Sequence, residues 1–197
     1  MQEITILSGG KENLRLYETV SIAYTVESQI SITPREKGLL GFDFTEEKLA
    51  RPYQKDYDAL GGPGDWARFF DISNWEIALL YVGELPAGGV TVAWNTDGVS
   101  MLEERRDLAV IWDLRVAPAF RQRGLGTRLF SHAEKWARGK GCRLLKVETQ
   151  NTNAPACRFY AAMGCHLEGM NFHAYDGVEK VKGDVQFLWY KEIRRQR

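Results

Sequence analysis

The residues with the clearest chemical meaning lie in one short segment, from Val116 to Thr127. Its pattern predicts that a strand ends near Val116 and that a helix begins at Leu125 after a short loop. The first free N–H groups of a helix carry partial positive charge, and glycines allow close approach of the backbone. This segment is therefore a candidate diphosphate site. The candidate ligands are Arg121, Gln122, Arg123, Gly124, Leu125, Gly126 and Thr127.

Two other phosphate motifs are excluded. A P-loop requires Gly-Lys-Ser/Thr, which the segment lacks, and the dinucleotide fingerprint requires a third glycine where this chain has Leu129. On this segment alone, a simple helix start with two solvated arginines stays open as an alternative.

The elements that must position this segment follow from periodicity and turn residues. Helices are predicted at 12–24, from Leu125 to the glycines at 139 and 141, and at 154–163 before Gly164. Strands are predicted at 2–7, 75–82, 89–94, 108–116, 144–148, 166–175 and 185–190, the second and third forming a hairpin through 83–88. This order predicts an α/β fold with a mixed central sheet flanked by helices.

The stretch 57–75 is predicted to be irregular, because Gly61-Gly62-Pro63-Gly64 has turn chemistry. It also carries four aromatic residues: Trp66, Phe69, Phe70 and Trp75. Either a flap over a pocket or packing of these rings agrees with this composition.

Composition bounds the class of protein. The 197 residues, 44% hydrophobic and 26% charged, predict one globular domain over 1–197. Lys+Arg and Asp+Glu number 26 each, so neither a nucleic acid nor a membrane is expected as a partner. The start lacks a signal-peptide pattern, and the apolar run Ile77–Val82 has strand length, so we expect a cytoplasmic protein.

The cysteines and histidines give no site of their own. Cys142, Cys157 and Cys165 are odd in number and lack metal spacing, which predicts reduced, packed thiols and no metal. The three histidines show no nucleophile motif and are expected to be structural.

Two motifs resemble one family. Arg121-x-x-Gly124-x-Gly126 after a strand is similar to the acetyl-CoA loop of GNAT N-acetyltransferases, and Asn153-x-x-Ala156-x-x-x-Tyr160 resembles the later helix of that family. The resemblance implies acetyl-CoA as cosubstrate and Tyr160 beside the thioester sulfur. It also implies that backbone groups of the preceding strand pair with the pantetheine arm, at Leu114, Arg115 and Val116.

Within this family the chain is most similar to streptothricin acetyltransferases, over about residues 40–190. The similarity rests on 145–169, on Pro52 to Tyr57, and on Tyr175 and Trp189-Tyr190. Three features depart from the pattern: Cys165 stands where an aromatic residue is usual, and the loops 61–75 and 99–106 are longer than expected.

The resemblance implies acetyl transfer to a primary amine of a small basic molecule, a streptothricin-like antibiotic being the sharpest hypothesis. Residues 1–75 would face the acceptor, and 75–192 would bind acetyl-CoA. A protein or peptide amine as acceptor and a non-catalytic acyl-CoA sensor are the alternatives. Whether the chain forms a homodimer is left open.

Attack by an amine requires removal of a proton, because an amine of pKa about 10.4 is mostly charged at neutral pH. Asp113 and Glu148 are the candidate bases, and each could instead orient the substrate or lie solvated on its strand. With Asp56, they would suit a cationic acceptor. Tyr160 is predicted to stabilise developing charge on the leaving sulfur by a hydrogen bond.

Overall fold

The computed structural model describes residues 3–193. They form two compact units: the first contains 3–24, 56–147 and 190–193, and the second contains 25–55 and 148–189. The helices are α1 (Leu14–Tyr17), α2 (Pro63–Phe69), α3 (Leu125–Gly139) and α4 (Ala154–Ala162). The strands are β1 (Ile4–Leu7), β2 (Tyr24–Pro34), β3 (Phe42–Lys55), β4 (Glu76–Val82), β5 (Leu85–Trp94), β6 (Leu108–Val116), β7 (Leu144–Gln150), β8 (His166–Asn171) and β9 (Gln186–Glu192).

The first unit contains a mixed sheet in the order β1-β4-β5-β6-β7. Neighbours from β1 to β6 are antiparallel, and β6 pairs with β7 in parallel. The run Ile77–Leu80 on β4 is fully buried, as expected for a central strand with both faces covered. A hairpin joins β4 to β5, as predicted, although only Gly83 and Glu84 separate the two strands.

Helix α3 provides the crossover between the parallel strands β6 and β7. Its apolar residues recur at helical spacing, and those facing the sheet are buried: Leu125, Leu129, Phe130, Ala133 and Ala137. Gly141, at φ +82°, ends it in the left-handed conformation, and the amide of Cys142 bonds to the carbonyl of Ala137. The predicted α/β class with a mixed sheet and flanking helices is confirmed.

The second unit contains the β2–β3 pair, α4 and the strand order β7-β9-β8, with β7 and β9 contributing residues to both units. Asn151, which follows β7, organises this unit. Its amide side chain and backbone bond to Ile30 on β2, and it also exchanges hydrogen bonds with Val185 before β9. Trp189 donates from Nε1 to Thr149 Oγ1 at 2.8 Å.

One predicted helix is largely wrong. The span 12–24 holds only a turn of 3₁₀ helix and the four-residue α1, and β2 already begins at Tyr24. Thr19 donates its hydroxyl to the carbonyl of Leu16, and Ser21 accepts from the amide of Ala23. Such side chains compete with the helical backbone and end the helix early.

The irregular stretch 57–75 contains α2 and two short 3₁₀ turns. Trp66 and Trp75 are buried in the core of the first unit, and Phe70 packs against this core, whereas Phe69 is 72% exposed. Three of the four aromatic residues therefore pack in or against the core, and only Phe69 of the four is exposed. Of the predicted strand 2–7, residue 2 lies outside the described residues. Within residues 3–193, no helix has both the length and the apolar character needed to cross a membrane.

Candidate active site

The turn from β6 into α3 has the predicted form of strand, short loop and helix. A 3₁₀ turn covers Pro118–Phe120, and the backbone is left-handed at Gln122 (φ +60°) and Gly124 (φ +74°) before α3 begins at Leu125. A side chain added at Gly124 would meet nothing within 4 Å, so within the chain the glycine is required by its backbone angle rather than by crowding.

The first turn of α3 is suited to an anion. Gly124 is its N-cap and makes no side-chain capping bond, while its carbonyl accepts the first helical bond from Arg128 at 3.3 Å. The first amides of this 15-residue helix lie at its positive end, and the N-cap glycine has no side chain that could accept their hydrogen bonds. Gly126 is half-buried and Thr127 is exposed. These residues fit a diphosphate, and they would hold that part of acetyl-CoA.

The two predicted arginines differ in their contacts. Arg121 donates from Nε to the carbonyl of Val116 at 2.9 Å and from Nη2 to that of Ala23 at 2.7 Å, and burial lowers its pKa. Arg121 therefore stabilises the loop by connecting it to Val116 and Ala23. Arg123 is exposed, with its guanidinium 5.5 Å from the ring centroid of Phe120, and is the arginine better placed to reach a phosphate from solvent.

The carboxyl end of β6, from Leu114 to Val116, leads into this loop. Within the first unit, the parallel register of β6 with β7 runs from Leu108 opposite Leu144 to Ile111 opposite Val147. On the other side, pairing with β5 continues to Val116, with a bulge at Trp112. Leu114, Arg115 and Val116 pair with β5 within the first unit. A strand edge with free backbone groups can pair with an extended amide-containing arm such as pantetheine.

Asp113 lies in a buried ionic network in the first unit. Its side chain is 8% exposed and receives Arg115 through Nη2 at 2.7 Å and Nε at 2.8 Å, while Tyr17 donates its hydroxyl at 2.6 Å. Arg115 also binds Asp58 through both terminal nitrogens, at 2.9 and 3.0 Å. Burial alone would lower the pKa of Arg115. Its hydrogen bonds to the two carboxylates outweigh this effect, so the pKa is raised above its ordinary value.

These contacts of Asp113 are typical of a structural ion pair, and its predicted base role stays a prediction. A carboxylate held bidentate by a guanidinium has its charge compensated, and Arg115 is buried to 1% side-chain exposure. The base role predicted for Asp113 gains no support from this geometry. Tyr17 and Asp58 were not predicted, because the network joins positions up to 96 residues apart in the sequence.

Glu148, the other candidate base, lies on β7 in the second unit and is half-buried. Tyr175 donates its hydroxyl to Oε1, Gln150 donates to Oε1 at 3.2 Å, and Gln186 donates to Oε2 at 2.7 Å. No Lys, Arg or His within residues 3–193 forms an ion pair with Glu148. Its negative charge thus has hydrogen-bond donors but no cation bound to it.

The predicted Asn153-x-x-Ala156-x-x-x-Tyr160 motif extends from the N-cap of α4 to its last turn. Asn153 caps this helix, its Oδ1 accepting from the amide of Ala156 at 3.2 Å, and Pro155 lies in the first turn. Tyr160 is 6% exposed, and its ring lies 5.0 Å from that of Phe159. Capping explains Asn153 and Ala156 locally, and their predicted contacts with acetyl-CoA stay predictions.

The remaining titratable candidates have structural contacts. His132 lies 2.7 Å from Glu76 through Nε2, the nitrogen that is also 3.5 Å from Ser8 Oγ, so the ring does not bridge a carboxylate and a hydroxyl through separate nitrogens. Cys142, Cys157 and Cys165 are buried thiols. Burial raises the pKa of Cys142 and of Cys157 to about 11.

A strand end followed by a glycine-containing helix start, in a mixed α/β sheet, is the arrangement that the family resemblance implies for a protein that binds acyl-CoA through its diphosphate. The family model described as "Acetyltransferase (GNAT) family" matches residues 40–165. The chain therefore belongs to the GNAT family, and it is an N-acetyltransferase whose cosubstrate is acetyl-CoA.

Individual relatives show which GNAT enzymes the chain resembles. The chain is 40% identical over 149 residues to a streptothricin acetyltransferase of Streptomyces lavendulae, covering 76% of this chain and 63% of the relative. It is 27% identical over 154 residues to a streptothricin acetyltransferase of Escherichia coli, covering 76% of each. A Bacillus anthracis protein crystallised in complex with acetyl coenzyme A has the same fold, with a TM-score of 0.76 at 22% identity, over 96% of this chain and 99% of that one.

Proposed function

We propose that the chain acetylates a primary amine of a small basic molecule, and that a streptothricin-like antibiotic is this acceptor. The similarity to two streptothricin acetyltransferases over about three quarters of this chain supports the antibiotic. The longer loops 61–75 and 99–106 are the places where the acceptor specificity would differ from that of the relatives.

The proposal rests on the hydrogen bonds that the Glu148 carboxylate accepts. Its donors Tyr175, Gln150 and Gln186 are neutral, so they leave a net negative charge on a half-buried carboxylate. Such a charge attracts an ammonium group and can accept its proton. Asp113 differs because Arg115 already neutralises it. We therefore assign the base to Glu148.

The reaction then proceeds as follows. Glu148 removes one proton from the acceptor ammonium, directly or through a water, and frees the nitrogen lone pair. The nitrogen attacks the thioester carbonyl carbon of acetyl-CoA, so that a C–N bond forms and the C–S bond breaks. The electron pair of that bond leaves with sulfur, and the hydroxyl of Tyr160 stabilises the sulfur charge by donating a hydrogen bond. The nitrogen then loses its second proton, the sulfur takes up one proton, and Glu148 returns its proton to solvent, so the products are the amide, the CoA thiol and one proton.

Acetyl-CoA supplies the activated acyl group. We assign its diphosphate to the first turn of α3 and to Arg123, and its pantetheine arm to the end of β6 at Leu114–Val116. The complex of the Bacillus anthracis protein with acetyl coenzyme A supports this use of the fold.

The test is CoA release by the purified chain with a panel of amines: streptothricin, spermidine and a lysine-containing peptide. We expect turnover with streptothricin, an N-acetylated product by mass spectrometry, and protection of a sensitive bacterial host that expresses the chain. Turnover of spermidine or the peptide with streptothricin untouched contradicts the antibiotic acceptor. Tight acetyl-CoA binding with no turnover on the whole panel supports the sensor instead.

A further inference from the structure

We infer that Tyr175 and Gln186 are positioning residues that hold Glu148 ready for one N–H group of a primary ammonium acceptor. This inference rests on the function proposed above, because it assigns Glu148 to the acceptor amine. Its basis is the arrangement of three donors around one carboxylate within the second unit.

The Glu148 carboxylate keeps one hydrogen-bond acceptor position that a substrate could occupy. An ionised carboxylate has about four lone-pair positions, two on each oxygen. Oε1 of Glu148 receives Tyr175 and Gln150, and Oε2 receives Gln186 at 2.7 Å. One position, on Oε2, stays available within the contacts of residues 3–193. The carboxylate is thus fixed at both oxygens and keeps a single acceptor position.

The direction of the hydrogen bonds around Tyr175 is determined by its neighbours. Gln150 donates from Nε2 to the phenolic oxygen at 2.7 Å, so the single phenol proton points to Glu148. Burial, and then the charge of Glu148, raise the pKa of Tyr175 well above its ordinary value. Tyr175 therefore stays protonated throughout the neutral range and acts as a constant donor rather than as a base.

The charges nearby do not cancel that of Glu148. Asp184 also affects Tyr175, but its own carboxylate is paired with the buried ammonium of Lys55. Neutral donors thus fix the geometry of Glu148 without compensating its charge, whereas a cationic donor would do both. This difference is what a site for a cationic acceptor requires.

The first experiment replaces the tyrosine by phenylalanine, which removes only the hydroxyl. Tyr175→Phe should lower kcat/KM for the acceptor amine about tenfold, because hydrogen bonds to a charged group are among the stronger ones. KM for acetyl-CoA should stay within about twofold of the parent value. Gln186→Leu should act in the same direction and serves if Tyr175→Phe fails to fold. The matched control is Tyr190→Phe, since Tyr190 also donates to a glutamate, Glu103, at 2.8 Å.

A double-mutant cycle separates positioning from general loss of structure. If Tyr175 acts through Glu148, Tyr175→Phe should change activity less than about twofold in the Glu148→Gln background, measured at raised pH where turnover is retained. An equal loss in both backgrounds, or an unchanged kcat/KM in the single variant, overturns the inference.

Crystal structures of the parent and of Tyr175→Phe give a readout that needs no acceptor. We expect the Glu148 carboxylate to leave its contact with Gln186 or to adopt several conformers in the variant. An unmoved Glu148 overturns the positioning role. A parent that acetylates no amine, with Glu148 displaced in the variant, contradicts the proposed function and leaves the positioning role supported.

Discussion

Replacing Arg115 by methionine should destabilise the protein severely, for a reason that its contacts quantify. The substitution keeps an apolar stem but removes five hydrogen bonds: two to Asp113, two to Asp58 and one to the carbonyl of Val20. Asp113, 8% exposed, would keep its charge with only Tyr17 as side-chain donor. Removing one partner of a buried ion pair costs about 3–5 kcal/mol.

That loss is measurable by urea denaturation at pH 7, as a lower midpoint with an unchanged m-value. It corresponds to a fall in Tm of about 6–20 °C for a chain of this size. The exposed pair Arg68–Asp65 provides the matched control, and Arg68→Met should stay within about 0.5 kcal/mol of the parent.

A double variant tests whether the uncompensated charge of Asp113 causes the loss of stability. Arg115→Met combined with Asp113→Asn should be more stable than the sum of the two single losses predicts, by at least about 1 kcal/mol, because the amide removes the uncompensated charge. A loss below about 1 kcal/mol for Arg115→Met, or strict additivity in the double variant, refutes the reasoning.

Three further predictions concern the cosubstrate side and the thiols. Gly124→Val should weaken acetyl-CoA binding at least about tenfold, or 1.4 kcal/mol, by calorimetry, because valine strains φ +74° and would occupy space in the proposed diphosphate site. Equal affinity in the folded variant removes this assignment. Tyr160→Phe should lower kcat and leave the acetyl-CoA Kd near the parent value, whereas unchanged turnover would make Tyr160 a packing residue. Burial raises the pKa of Cys157 to about 11 from 9.0, so its neutral thiol contributes stability that is full below pH 9 and lost as pH rises toward 11. Cys157→Ala should flatten that part of the stability profile, and an identical slope in both proteins would contradict this cause.

The fold could be predicted where local pattern and tertiary structure agree. The spacing of Leu125, Leu129 and Ala133 defines both α3 and its buried face, and the apolar run on β4 defines a central strand. The β2–β3 pair was missed because its strands bond to each other, and β3 is mostly exposed, so no apolar alternation marks it. Its register depends on partners that a local window does not contain.

The candidate site divides in the same way. The Gly124 turn and the Asn153 cap are local features, and their conformations follow from a few neighbouring residues. The partners of the two carboxylates are local in part, since Arg115 and Gln150 each lie two residues from the carboxylate that they bind, at Asp113 and Glu148. The sequence did not show that Arg115 is directed at Asp113, and the remaining partners are distant: Asp58 binds Arg115, and Tyr175 donates to Glu148.

The central claim, that Glu148 removes the proton from the acceptor amine, is tested most directly by the pH dependence of kcat in Glu148→Gln. The amide keeps the size of the side chain but cannot accept the proton, so kcat at pH 7 should fall about 10²-fold or more. Raising the pH toward 10 should restore part of it, because more of the acceptor is already neutral. Asp113→Asn should not show this pH-dependent recovery. A Glu148→Gln variant that retains the parent kcat at pH 7, with or without a raised KM for the amine, would contradict the claim.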